Sequence, residues 1–438
     1  MSDNFFKIPN GWHLVTLEKI SKFITKGATP TTYGFDWSDE ARGIPFLRSE
    51  CVTLNGFNPK GMSYISLKAH NVMERSKIVP GDILMTITGN IGRIAMLPNN
   101  IPEANINQHI SRISIRDEFY SDFVFQALRL EFYSRYYERI LTGQAYPQIS
   151  LKQVRETPIL LPSYEEQKLI AAILFNFDRK IELIDNKISE TKKLKNGLVQ
   201  KLFSEGIGVK AESGEWIRHK KFKDSILGPI PQNWKIVSLK EILDVIKDGT
   251  HFSPKSSDGQ YKYLTSKNIR FGKLDLTNVS YINEEEHNRI YKSSPVKPGD
   301  ILLTKDGANT GNAAINSLDE PFSLLSSVAY LRGSKNKISH AYLLQFLLSS
   351  KGQSMLKSAM TGQAITRLTL KKIGDFKIPY PNVIEQKQIA EILCTVDEKL
   401  NTLEKQRSET HLLKKGLMQK LLTGEWRVPV DCNEVEAA

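Results

Sequence analysis

Two glycine-punctuated loops hold the side chains whose types and spacing suit chemistry. One is Thr88-Gly89-Asn90-Ile91-Gly92-Arg93; the other is Lys305-Asp306-Gly307-Ala308-Asn309-Thr310-Gly311-Asn312. Glycine lets a backbone come close to a ligand, and Asn, Arg and Lys present donors suited to phosphates and base edges. Asn90, Arg93, Lys305, Asn309 and Asn312 are therefore candidate DNA contacts, although a plain β-hairpin turn explains either loop alone. A second pair of segments reads Thr142-Gly143-Gln144-Ala145-Tyr146-Pro147-Gln148 and Thr361-Gly362-Gln363-Ala364-Ile365-Thr366-Arg367. The shared half suits a structural turn. The divergent half places Gln144, Tyr146, Gln148, Gln363 and Arg367 where base recognition could vary, since Gln pairs bidentately with adenine and Arg with guanine. Arg48 with Ser49, and Lys267, Asn268 and Arg270, follow Ile-Pro-Phe-Leu and Tyr-Lys-Tyr-Leu strands and are weaker candidates of the same kind; a solvated surface charge is the competing reading of each.

Several chemistries lack their signatures. There is no Gly-x-x-x-x-Gly-Lys-Ser/Thr phosphate loop, no His/Cys spacing that suits a metal, and no Gly-x-Ser-x-Gly elbow. The Asn/Asp-Pro-Pro-Tyr motif of amino methyltransferases is absent, and Ile378-Pro379-Tyr380-Pro381 only mimics it. No catalytic or metal-binding residue and no cofactor of the chain's own is expected. The alternatives are a single-chain methyltransferase or nuclease with a diverged motif, and a coiled-coil scaffold with no DNA role.

The elements that position these loops come in duplicate. From Thr142 onward the chain matches itself at a constant offset of 219 residues, through Glu166-Gln167-Lys168 and Glu385-Gln386-Lys387 to Gln200-Lys201-Leu202 and Gln419-Lys420-Leu421. Upstream the offset drifts between 218 and 222, as small loop insertions would cause: Ile8-Pro9-Asn10-Gly11-Trp12 matches Ile230-Pro231-Gln232-Asn233-Trp234, and Pro80-Gly81-Asp82-Ile83-Leu84 matches Pro298-Gly299-Asp300-Ile301-Leu302. The net charge of +12 follows the same division. Residues 1–160 carry 18 Lys/Arg against 15 Asp/Glu, and residues 230–379 carry 21 against 13, so +11 of the +12 lies in the two divergent blocks. That concentration favours an anionic partner and speaks against the scaffold.

The blocks read as mainly β, with short apolar runs bounded by Pro-Gly-Asp turns and a helical patch near 121–140 and 339–360. The locked segments read as long helices. Ser163 with Glu166 suggests a capping box, and Asn382 with Glu385 offers the same geometry. Apolar residues then recur at helical spacing: Ile170, Leu174, Phe177, Ile181, Ile184 and Ile188 in one copy, and Ile389, Leu393, Val396, Leu400 and Leu403 in the other. A helix from Ser163 to Phe203 would run about 60 Å and needs a partner of its own length, which the other copy supplies. Gly197 and Gly416 interrupt the two helices at equivalent places, where either a close backbone approach or a break would explain them.

The expected fold is therefore α+β: two similar mainly-β domains separated by two long helices that pair as an antiparallel coiled coil, with a pseudo-twofold internal repeat. The expected boundaries are 1–161 and 230–380 for the blocks, 162–204 and 381–423 for the helices, 205–229 for a Gly-, Lys- and Ser-rich linker, and 424–438 for a tail, disordered from Val430. Three cysteines form no framework, no apolar run reaches the roughly 20 residues a bilayer needs, and the opening residues lack a secretory pattern. A prokaryotic cytoplasmic location is expected.

In this arrangement the chain resembles the specificity subunit of type I restriction–modification systems. The paired Pro-Gly-Asp-Ile-Leu strands, the Thr-Gly-Gln-Ala segments, and the helices ending in Gly-Leu-Val-Gln-Lys-Leu and Gly-Leu-Met-Gln-Lys-Leu carry the likeness over nearly the whole length. The resemblance implies that each block is a target recognition domain reading one half of a bipartite, asymmetric site in double-stranded DNA. It implies that the helices set the half-site spacing and dock two modification subunits, which bind S-adenosylmethionine and methylate adenine. It further implies two restriction subunits that use ATP and Mg, and a chain that is itself non-catalytic. The larger excess of positive charge in the second block predicts that it makes more phosphate contacts.

Overall fold

The computed structural model describes residues 8–142, 147–256, 258–360 and 367–430. The chain forms two compact units, one drawn from Met1–Asp185 and Lys405–Ala438, the other from Asn186–Glu404. Each long helix therefore contributes to both units.

Each unit is built on a four-stranded antiparallel sheet with the same strand order. In the first it runs Ile94–Met96, Ile83–Thr86, Ile110–Ile115, Ser21–Lys26; in the second, Ala313–Ile315, Ile301–Thr304, Val328–Arg332, Val245–Asp248. The central strands, Ile83–Thr86 and Ile301–Thr304, are buried at every position. Side chains alternate between the faces of a strand. Ile83 and Met85 accordingly join the core formed with helix Ser121–Leu128, while Leu84 joins a separate core on the other face. Ile301 and Leu303 against Leu302 repeat this division. The second face is covered by a second sheet, five-stranded in the first unit and three-stranded in the second, that contains one parallel pair: Phe46 and Leu47 beside Asn105 and Ile106, or Tyr263 and Leu264 beside Ser323 and Leu324. Glu284–Ser293 forms a helix that buries His287 and Ile290 on one face, with Asn283 capping its start and three glutamates favouring its first turn.

The long helices, Tyr164–Ser204 and Val383–Leu421, are continuous through Gly197 and Gly416, so neither glycine marks a break. Of the apolar stripe, Ile170, Leu174, Ile181, Ile184, Ile188, Ile389, Leu393, Leu400 and Leu403 are buried. Phe177 and Val396, which are equivalent in the repeat, are half-buried. In the first unit Asp178 pairs with Lys414 at 2.5 Å and Asp185 with Arg407 at 3.3 Å, so one helix runs up as the other runs down. In the second unit Lys195 meets Asp397 at 2.5 Å and Lys192 meets Glu404 at 3.3 Å, which is the same antiparallel sense. Asp178–Lys414 and Asp397–Lys195 are one contact written twice by the repeat. Each carboxylate also accepts from an equivalent glutamine, Gln126 at 2.8 Å and Gln345 at 2.7 Å. A buried polar pair of this kind pins helix register, because sliding would leave a charge unpaired.

Burial and the neighbouring Arg129 pull the Lys414 ammonium down to about 8 despite Asp178. Between that value and the ordinary 10.5 the unfolded chain holds the proton and the folded chain does not, so this group's contribution to stability rises with pH across the window. Wild type should gain on Lys414→Met by up to ~3 kcal/mol between pH 8 and 10.5, read from urea midpoints. A pH-independent difference would reject the assignment.

The capping-box expectation is half corrected. Ser163 and Asn382 do cap, accepting from the Glu166 and Glu385 amides at 3.4 and 2.9 Å. The glutamate carboxylates do not reach back; both are buried and grip distant chain. Glu166 binds Arg427 through two bonds of 2.8 Å. Glu385 accepts from the Ile207 and Gly208 amides at 3.0 and 3.1 Å, from His219 at 2.9 Å and from Trp234 Nε1 at 3.0 Å. The following glutamines then tie each helix to its block, with Gln167 accepting from the Tyr120 amide and Gln386 from the Ser339 amide. The linker carries a small hairpin, Val209–Lys210 with Trp216–Ile217, and residues 431–438, most of the tail expected to be disordered, lie outside the described residues.

Candidate nucleic-acid interface

In the first unit the loop joining Ile83–Thr86 to Ile94–Met96 is closed by Gly92 N–H donating to the Thr86 carbonyl at 2.9 Å and by Thr86 Oγ1 donating to the Asn90 carbonyl. Gly89 and Gly92 both take positive φ, and a Cβ on Gly92 would lie 3.1 Å from the Tyr137 ring. The sheet thus ends in a tight, projecting turn that carries Asn90 exposed and Arg93 half-buried.

Two other segments are sewn to this turn. Gln148 forms a bridge to Thr88, and the next residue, Ile149, donates its amide to the Ile87 carbonyl at 2.9 Å. His109 lies 2.5 Å from Thr88 Oγ1 through Nδ1, and its Nε2 is 3.1 Å from Gln108, which in turn accepts from Thr29 at 2.7 Å. The Asn107 amide donates to the Leu47 carbonyl at 3.1 Å, so Arg48 emerges beside this cluster, its guanidinium 5.0 Å from the Trp37 ring centroid. Sequence reasoning missed Thr29, Gln108 and His109. The one available signal was a polar Gln-His step directly before the alternating Ile110–Ile115 strand.

The second unit repeats the scaffold with different side chains. The Asp306–Arg367 bridge stands where Thr88–Gln148 does, and the Leu368 amide donates to the Lys305 carbonyl at 2.8 Å as Ile149 does to Ile87. Arg367 is exposed and its Nε lies 3.6 Å from Asp306 Oδ2. Asn309 and Asn312 donate to the carbonyls of Ser266 and Ile269 at 3.4 and 3.3 Å, drawing the exposed Lys267 and Arg270 to the same loop.

Several candidates need correction. Lys305 is only 2% exposed and pairs with Asp248 at 3.1 Å, so it braces the loop from inside. Asn268 is buried, accepts from the Thr265 amide and donates to the carbonyls of Asp275 and Asn278, which shapes its own turn. The Asn309 and Asn312 amides are likewise committed to loop carbonyls. Arg270 donates to Asp275 at 3.0 Å and keeps an exposed flank. Helical or strand periodicity cannot reveal such inward turns, because loop side chains follow no period. Gln144, Tyr146 and Gln363 lie outside the described residues. Among the described residues no group of His, Cys, Asp or Glu could hold a metal, and no helix is long and apolar enough to cross a membrane.

Two equivalent scaffolds each present their own set of hydrogen-bonding side chains on a loop cluster, an arrangement suited to recognition. The chain belongs to the family described as the type I restriction modification DNA specificity domain, whose profile matches residues 9–193 and 231–410. It is a DNA-specificity subunit of a type I restriction–modification system, a non-catalytic role. It is 29% identical over 430 residues to the type I restriction enzyme MjaVIII specificity subunit of Methanocaldococcus jannaschii, covering 96% of this chain and 94% of that one. Over 204 residues it is 23% identical to the EcoKI specificity subunit of Escherichia coli, 45% of this chain and 43% of that one. Its fold is similar to the crystal structure of the S subunit from M. genitalium, with TM-score 0.60 and 18% identity over 96% of this chain and 97% of that one.

Proposed function

We propose that each unit reads one half of a bipartite, asymmetric DNA site, and that the paired helices fix the half-site spacing and dock two adenine-methylating modification subunits. The observation that carries this reading is the contrast along the repeat. The Asp178–Lys414 and Lys195–Asp397 pins and the glutamate and glutamine ties recur in kind, whereas the loop clusters share a backbone scaffold and differ in nearly every side chain. A frame kept twice suits two copies of one partner, and loops that differ suit two unlike half-sites. S-adenosylmethionine, ATP and Mg then belong to the modification subunits and to two restriction subunits, and the assembly works on DNA in a prokaryotic cytoplasm.

A methylation map of cells expressing this chain with its cognate modification subunit tests the proposal, with a bipartite motif as the expected result. Exchange of residues 230–379 for those of a relative should change one half of that motif and leave the other intact. Alteration of both halves would break the correspondence of one unit to one half-site.

A further inference from the structure

We infer that residues 148 and 367 occupy the same reading position in the two units, Gln148 recognising an adenine in one half-site and Arg367 a guanine in the other. The inference deepens the half-site reading and rests on it.

The backbone makes the equivalence. Ile149 N–H donates to the Ile87 carbonyl at 2.9 Å, and Leu368 N–H donates to the Lys305 carbonyl at 2.8 Å, so both segments hang from the same point of the sheet. Ile149 and Leu368 are buried anchors at 2% and 1% exposure. One residue before each anchor the side chain points to solvent, and both Gln148 and Arg367 are exposed. Both also bridge the same position of the hairpin loop, Thr88 or Asp306.

That partner changes in step with the reader. Beside the uncharged Gln148 stands uncharged Thr88; beside Arg367 stands Asp306, 3.6 Å from Nε. A carboxylate on the Nε side orients the guanidinium and leaves its two terminal nitrogens for a ligand. Two donors side by side match O6 and N7 of guanine. The donor and acceptor of a glutamine amide match N7 and N6 of adenine. A surface ion pair serving only to hold the loop would need no counterpart in the first unit, where the same backbone bond holds an uncharged pair.

The test uses the full chain assembled with its cognate modification subunits. Arg367→Gln should weaken discrimination at one guanine of one half-site by about ten- to a hundredfold, shift preference there toward adenine, and leave the other half-site untouched. Gln148→Arg should do the reverse in the other half-site. Arg367→Lys, which keeps the charge and loses the planar fork, should lose the guanine preference and retain affinity for non-specific duplex. Both positions are exposed, so thermal midpoints should match wild type. An unchanged bipartite motif in Arg367→Gln and Gln148→Arg overturns this assignment alone. So does a uniform loss across all sequences with a shallower salt dependence, the signature of a phosphate contact. A wild-type motif that is not bipartite overturns both this assignment and the reading beneath it.

Discussion

Replacing Glu385 with alanine is expected to destabilise the protein by roughly 3–5 kcal/mol. The carboxylate is fully buried and receives four donors, two of them backbone amides, of which that of Gly208 is buried. Its removal strands Trp234 Nε1, which lies in a ring system only 1% exposed, together with the Ile207 and Gly208 amides. Each orphaned buried donor costs about 1–3 kcal/mol, and relaxation recovers part of the sum. Glu166, the equivalent residue, should matter less. Its chief partner, Arg427, has a side chain 48% exposed and regains water when the pair is broken. Glu166→Ala is expected to cost about 1–2 kcal/mol. Guanidinium unfolding of both variants decides the matter, and equal losses would contradict the account.

Gly197 and Gly416 give the second large effect, and it has opposite signs in two measurements. A Cβ built on either glycine meets nothing within 4 Å, and both sit inside unbroken helices. No internal contact requires them, although each lowers helix stability by about 1 kcal/mol relative to alanine. Around Gly416 the surface is apolar, with Leu412, Leu413 and Trp426 exposed at 68%, 60% and 54%, and Leu194 repeats Leu413 in the other copy at 57%. A helix of a modification subunit approaching closely would account for both features. Gly→Ala at either position should raise the thermal midpoint of the isolated chain. Gly→Leu should weaken assembly with the cognate modification subunit by roughly ten- to a hundredfold, the expected result of overpacking by about 1–3 kcal/mol. Undiminished assembly of the Gly197→Leu, Gly416→Leu double variant in titration calorimetry would remove the glycines from the docking surface.

The frame was legible in the sequence because it obeys periods. Nine of the eleven stripe residues were found by 3–4 spacing and are buried, and the short apolar run Ile83–Thr86 behind its Pro-Gly-Asp turn foretold a strand. The half-burial of Phe177 and Val396 follows from the polar pin: Asp178 and Asp397, one residue on, take the inter-helix position for their lysines. The site was less legible. Lys305 and Arg367 look alike as basic loop residues, and only the Asp248 carboxylate beside Lys305 turns one inward while the other stays exposed. Glu166 and Glu385 looked like capping residues because the cap is local and visible, whereas their true partners lie 261 and 151 to 178 residues away. Thr29, Gln108 and His109 are brought together by strand order, which no local pattern encodes.

The interleaving of chain between units sets an order of events during synthesis. The second unit is contiguous, Asn186–Glu404. The core of the first includes Leu421 and Leu422, and its Glu166 waits for Arg427, 261 residues later. At about 5–20 residues per second the ribosome needs roughly 13–50 s to cover that gap. The unit begun first is therefore completed after the second, and Glu166 stays unpaired until Arg427 leaves the ribosome.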